Sequence, residues 1–116
     1  MRQLIISKEL HFYSLPSGKK PFLEWLKTIN DERTHARIQA RLDRLHFGYY
    51  GDYKMLGGGI YELKLDFGPG YRIYFGKLKQ QVILLLIGGD KSSQVRDILQ
   101  ARDYWQQVKT GNYIYE

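Results

Sequence analysis

Residues 58–93 (GGIYELKLDFGPGYRIYFGKLKQQVILLLIGGDKSS) constrain the fold more than any other part of the chain, because they hold three apolar runs separated only by short punctuation. Over residues 60–67, Tyr61, Leu63, Leu65 and Phe67 alternate with Glu62, Lys64 and Asp66, the period-two signature of a half-buried strand. Gly68-Pro69-Gly70 is a turn: Pro69 fixes φ and lacks an N–H, and either glycine can take the positive φ that a reversal needs. Alternation resumes with Tyr71, Ile73 and Phe75 facing inward and Arg72 and Tyr74 outward. Residues 82–87 are apolar throughout, as expected of a strand buried on both faces in the sheet interior. Two successive hairpins follow, and they place Lys64 and Arg72 on the same outward face of neighbouring strands.

A chain of 116 residues forms one domain, residues 1–116, with a modest single core, and 43% hydrophobic and 15% aromatic residues argue for a globular fold over a disordered one. Absence of cysteine removes disulfides, thiol nucleophiles and thiolate metal sites. The N-terminal apolar run is only Leu4-Ile5-Ile6, unlike a signal peptide, and no run is long enough to cross a bilayer, so a cytoplasmic location without membrane partners is expected. The net charge of +6 favours a polyanion or an acidic protein as ligand. Residues 1–50 carry nine Lys/Arg against five acids, residues 51–116 nine against seven, so the N-terminal half is the more electropositive.

Around the central stretch, an N-terminal strand is expected at roughly residues 3–9. Leu10 to Tyr13 either extends it or leads into the loop signal Leu15-Pro16-Ser17-Gly18. Pro21, Phe22, Trp25, Leu26 and Ile29 predict a short amphipathic helix over 21–29. A second helix over 32–46 follows an Asn30-Asp31 cap, with Ile38, Leu42 and Leu45 as its stripe. Its arginines Arg33, Arg37, Arg41 and Arg44 lie mostly off that stripe, as a solvated face or as contacts to nucleic acid. Residues 47–59 (FGYYGDYKMLGGG) predict a loop, whose Tyr49, Tyr50 and Tyr53 either stack on bases or pack across the helix–sheet junction. Ser92 or Ser93 is expected to cap a closing helix with Val95, Ile98, Ala101, Trp105 and Val108 as its stripe, ending near Gly111. Residues 112–116 form a short aromatic tail. The expected class is α+β, a small twisted antiparallel sheet packed with two N-terminal helices and a C-terminal helix in the order β-α-α-β-β-β-α.

His11, His35 and His46 are scattered and follow no metal-ligand spacing, and neither a dinucleotide nor a P-loop signature occurs, so no metal or cofactor is expected. What remains is cationic: Lys64 and Arg72 as cross-strand neighbours, Tyr74 one step along, and Lys91 leaving the end of the third strand. On a phosphodiester, Arg72 can clamp a non-bridging oxygen and stabilise the charge that grows there, while Lys64 and Lys91 hold the backbone or move a proton. RNA brings its own nucleophile in the 2′-OH, so the set needs neither a protein nucleophile nor a metal. These four are the candidate catalytic residues; Tyr71, Ser92, Ser93, Arg37 and Arg41 are candidate substrate contacts. The bland alternative is a half-solvated sheet face on which Glu62 and Asp66 neutralise Lys64 and Arg72. The nuclease reading requires the three cations to border one open hollow.

The blocks YELKLDFGPGYRIYFG and LLLIGGDKSSQ, with the PFLEWL helix before them and Trp105 after, resemble the RelE/ParE superfamily of toxins from bacterial type II toxin–antitoxin modules. The subgroup of addiction module killer proteins, with its HigB-like and phage-encoded members, is the most similar. The resemblance spans nearly the whole chain and implies a compact fold with two N-terminal helices on a twisted antiparallel sheet. It implies a toxin held inactive by a cognate antitoxin, a small helix-turn-helix protein encoded beside it. The implied activity is metal-independent cleavage of mRNA on the ribosome, with contacts to ribosomal RNA; another branch of the superfamily instead poisons DNA gyrase without cleaving nucleic acid. Arg72 matches the arginine of the GYR block and Lys91 the basic position after the last core strand. Lys64 stands where relatives commonly carry arginine, so the charge is kept and the bidentate fork is lost. No histidine follows His46 to match the C-terminal acid–base residue of some relatives, and Tyr104 and the tail tyrosines are loose substitutes.

Overall fold

A computed structural model describes residues 7–111 and 113. Strand β1 (Glu9–Phe12) leads through a loop to helix α1 (Pro21–Lys27) and helix α2 (Glu32–His46). Strands β2 (Tyr53–Gly57), β3 (Ile60–Lys64), β4 (Arg72–Lys79) and β5 (Val82–Gly89) follow. A single 3₁₀ turn at Lys91–Ser93 runs into helix α3 (Gln94–Thr110). The five strands form one sheet in the order β1-β5-β4-β3-β2. The fold is therefore a small α+β domain with N-terminal helices, a mixed sheet and a C-terminal helix.

Two features depart from the expected antiparallel sheet. β1 lies parallel to β5, with Glu9 opposite Val82 and Phe12 opposite Leu85, because the helices and hairpins between them return the chain in the same direction. Residues 3–6 of the expected N-terminal strand lie outside the described residues. The expected loop before residue 60 instead supplies β2, which pairs antiparallel with β3 through a turn of three glycines, Gly57, Gly58 and Gly59, all at positive φ. Tyr53, Lys54 and Met55 of this edge strand are exposed, so no buried–exposed alternation marks it in the sequence.

Helices cover both faces of the sheet. On one, Phe22 of α1 and Ile38, Leu42 and Leu45 of α2 pack on Leu63, Leu65, Ile73, Phe75, Ile83 and Leu85. On the other, Ala101, Trp105 and Val108 of α3 pack on Ile60, Tyr74, Leu84 and Leu86. The alternation of residues 60–67 is correct in phase; on its second face Glu62 is buried against Gln94 of α3, while Lys64 and Asp66 are exposed. Two strand glycines make room for two tryptophans: a Cβ on Gly88 would collide with the Trp25 ring, and one on Gly76 with the Trp105 ring. β5 is enclosed on both sides, as its unbroken apolar run requires. Among the described residues, no helix is long and apolar enough to cross a membrane.

Candidate functional site

The hairpin register sets the site at one end of the sheet. Lys64, the last residue of β3, lies directly opposite Arg72, the first of β4, and Arg72 lies opposite Gly89 at the end of β5. The Gly68-Pro69-Gly70 turn holds this end together. Gly70 N–H donates to the Phe67 carbonyl at 3.2 Å, Lys91 N–H to the Pro69 carbonyl at 3.4 Å, and Arg72 Nη1 to the Gly70 carbonyl at 2.6 Å. Gly70 has φ 78°, and the Arg72 guanidinium and the Lys91 stem both pack against it. The turn, the β3–β4 pair and the residue after β5 thus bring Lys64, Arg72 and Lys91 to one corner.

Lys64 and Lys91 are exposed, but Arg72 is only 5% exposed, so the corner is more closed than the sequence implies. The Arg72 Nε is buried and has no hydrogen-bond partner. Nearby carboxylates are engaged elsewhere. Glu62 accepts from Gln94 Nε2 at 2.9 Å; Asp97 accepts from Ser93 Oγ at 2.5 Å; Asp90 accepts from the Ser92 and Ser93 N–H groups and from Ser92 Oγ. Hydrogen bonds to Ser92 are the largest cause holding the Asp90 carboxyl below its usual range. Among the described residues, neither Lys64, Arg72 nor Lys91 forms an ion pair with a carboxylate. Neither Glu62 nor Asp66 ion-pairs with them. The buried Glu62 and Asp97 carboxylates lie in the same region, each bonded to a neutral donor, and an anion placed beside the enclosed guanidinium adds a direct partner.

The other expected site residues fall in different places. Tyr74 is fully buried beneath α3, opposite Glu62, and not on an open face. Burial, then the Glu62 charge, push its hydroxyl far above the ordinary phenol range, so it stays protonated and does not meet solvent. Tyr71 packs on the opposite face, edge-on to Trp25 with ring centroids 6.0 Å apart. Ser93 stands at the N-cap position of α3, as expected, but without a side-chain cap hydrogen bond; the side-chain cap is that of Asp90 on the preceding 3₁₀ turn, reciprocal with Ser93. Val95 lies about 120° around α3 from Ala101 and Asp97 only about 40°, so the first helical turn presents Asp97 to the sheet and leaves Val95 77% exposed, against the expected stripe. Tyr113 of the expected tail packs back: its ring stacks on Tyr13, and its hydroxyl accepts from Ser14 N–H at 2.8 Å. Residues 112 and 114–116 lie outside the described residues.

Arg41 is a correction. It is 8% exposed, with Nη1 bonded to the Lys64 carbonyl at 2.7 Å, Nη2 to the carbonyls of Asp52 (2.7 Å) and Tyr50 (3.0 Å), and Nε to Tyr50 at 3.3 Å. All of its donor positions in use serve the backbone that leads into β2 and out of β3, so it is a clamp and not a substrate contact. Burial, reinforced by Arg44, draws its pKa below the usual guanidinium value. Arg37 is exposed, its guanidinium carbon 4.1 Å from the centre of the Phe67 ring.

Fold and site together define a small basic α+β domain with a cluster of unpaired cations at one end of its sheet. No family model matches the chain. Over 81 residues it is 46% identical to an uncharacterized protein of Haemophilus influenzae, a match covering 70% of this chain and 82% of the relative. The chain belongs to the same family as that protein.

Proposed function

We propose that this protein is a RelE/ParE-like toxin of a bacterial type II module that acts on RNA through the Lys64–Arg72–Lys91 corner. The observation that carries this reading is the convergence of Lys64, Arg72 and Lys91 at one corner, none of them in an ion pair among the described residues. The open hollow that cleavage requires is not met at Arg72, which is 5% exposed, so in this reading the corner opens before a non-bridging phosphate oxygen meets the Arg72 guanidinium. Lys64 and Lys91 are exposed and can follow the phosphates on either side. In the cleavage step, the RNA 2′-OH gives its proton to solvent water as its oxygen attacks the adjacent phosphorus, and the bond to the 5′-oxygen breaks, leaving a cyclic phosphate and a 5′-hydroxyl. Arg72 stabilises the charge that develops on the phosphorane, and Lys91 gives a proton to the departing oxygen. Tyr74 has no part in this step, since α3 covers it. The partners in this reading are mRNA on the ribosome, ribosomal RNA and an antitoxin encoded by the adjacent gene.

A second reading is favoured by the 5% exposure of Arg72: a toxin or interaction module that binds its target, gyrase included, without cleaving RNA. The test is inducible expression with and without the neighbouring gene, followed by mapping of mRNA 5′ ends on ribosomes. Codon-phased ends that vanish in Arg72→Gln and weaken in Lys64→Ala support cleavage. Growth arrest with intact mRNA supports the second reading, and no arrest without the neighbour rejects the toxin assignment.

A further inference from the structure

A second basic surface lies along α2, on the helical face of the sheet. Two clefts, of about 370 Å³ and about 620 Å³, share Arg41 and Arg44 and so form one trough beside the C-terminal half of α2. Arg37 and Phe67 line the first cleft; Tyr49 and Tyr53 line the second. Arg37 and Arg44 lie seven residues apart on one helix face, about 10 Å along its axis. Arg41 stands between them and is spent on backbone carbonyls, so it shapes the trough floor while its neighbours remain exposed. Among the described residues, neither Arg37 nor Arg44 is in an ion pair. Asp66 is the one acid on the lining, against two available guanidinium groups.

The aromatic side of the trough is unusually open. Tyr49 is 70% and Tyr53 45% exposed. Tyr53 is anchored from behind by Tyr50, at a centroid distance of 5.0 Å, and Tyr50 and Tyr61 in turn carry the Lys77 ammonium over their rings at 4.7 and 5.0 Å. Tyr53 is held by packing and Tyr49 stands open at the rim; rings with a face to solvent, set beside planar guanidinium groups, match what unpaired bases on a phosphate chain require. An acidic peptide would use the arginines and leave the open rings without a role.

We propose that this trough binds a single-stranded polynucleotide, with phosphates against Arg37 and Arg44 and bases stacked on Tyr49 and Tyr53. The proposal rests on the RNA-directed reading above only for the class of polymer; binding here requires no cleavage. The full chain is titrated into fluorescein-labelled 12-nucleotide strands in low salt, with anisotropy as readout: a 2′-O-methyl RNA that cannot be cleaved, a DNA of the same sequence, and the RNA duplex. Either single strand binds more tightly than the duplex if the trough acts as proposed, and the two arms show which sugar it prefers. Tyr49→Ala with Tyr53→Ala weakens binding about tenfold or more, and the paired Phe substitutions restore it. Arg37→Gln with Arg44→Gln lowers the slope of log affinity against log salt by about 1.4, the amount for two phosphates on a single strand. Lys109→Gln, on α3 at the opposite face of the sheet, keeps the tyrosine effect intact. Equal affinity for the duplex, indifference to the tyrosine substitutions in a folded variant, or displacement by oligoglutamate at the concentration where unlabelled strand competes would each overturn the proposal. Loss of trough binding leaves arrest by the corner site untouched, so the two readings fail separately.

Discussion

Replacing Arg41 by Met separates a structural arginine from its exposed neighbours on the same helix. The substitution removes four hydrogen bonds, of 2.7, 2.7, 3.0 and 3.3 Å, and leaves the carbonyls of Tyr50, Asp52 and Lys64 without these donors. Charged hydrogen bonds contribute about 1.5–3 kcal/mol each net. They do not simply add, because burial already works against the Arg41 charge and its loss returns part of the total. A loss of about 3–5 kcal/mol is expected, out of roughly 5–15 for a domain of this size. This corresponds to a fall in melting temperature of roughly 10–20 °C. Arg41→Lys lies in between, since an ammonium cannot span three carbonyls as a fork does. Arg37→Met and Arg44→Met, on the solvent side, stay within about 0.5 kcal/mol of the parent. Urea unfolding followed by the fluorescence of Trp25 and Trp105 measures all four variants. A loss below about 1 kcal/mol for Arg41→Met, or equal losses at positions 41 and 44, would refute the clamp.

Gly88→Ala and Gly76→Ala drive a methyl group into the Trp25 and Trp105 rings; each should cost about 1–3 kcal/mol in urea unfolding, and Trp25→Leu should relieve the Gly88→Ala defect selectively. Tyr74 gives a pH signature. Its hydroxyl is pushed up by burial and by Glu62, so the unfolded chain ionises at about pH 10 while the folded one does not; the contribution is complete below that pH and is lost as pH rises above it. Tyr74→Phe should therefore flatten the alkaline fall in stability by about 1.4 kcal/mol per pH unit above pH 10. Asp90→Ala removes the cap that receives the Ser92 and Ser93 N–H groups and should cost about 1 kcal/mol by thermal melting, with the parent losing this contribution as pH falls through the lowered Asp90 pKa.

The sheet interior was legible because its residues obey simple periods. Leu63, Leu65, Ile73 and Phe75 face one helical layer as alternation requires, and the unbroken run of β5 marks a strand enclosed on both sides. Both N-terminal helices and the closing helix follow from their apolar stripes and caps. β2 escaped because an exposed edge strand buries too little to leave a period, and Tyr53, Lys54 and Met55 all face solvent. The sequence places Lys64 and Arg72 side by side, and they are register partners. It does not say on which face α3 docks, and that docking is what buries Tyr74; the Arg72 guanidinium turns back onto the Gly70 carbonyl. Arg41 was illegible for a related reason: a helix period sorts residues by hydropathy, whereas its burial comes from carbonyls presented by residues 50, 52 and 64. Val95 leaves the expected stripe because helical rotation sets it about 120° from Ala101, while the buried Asp97 is held by Ser93, a polar contact that apolar spacing does not register.

The central claim is that Arg72 receives a phosphate at the corner it shares with Lys64 and Lys91. The Arg72 Nε–H resonance of the ¹⁵N-labelled protein reports this directly when a 2′-O-methyl RNA trinucleotide is titrated in. The account expects a saturable downfield shift as the unpaired Nε gains an acceptor, weakened in Lys64→Ala and in Lys91→Ala. An Arg72 signal that stays fixed while the RNA saturates other sites would contradict it.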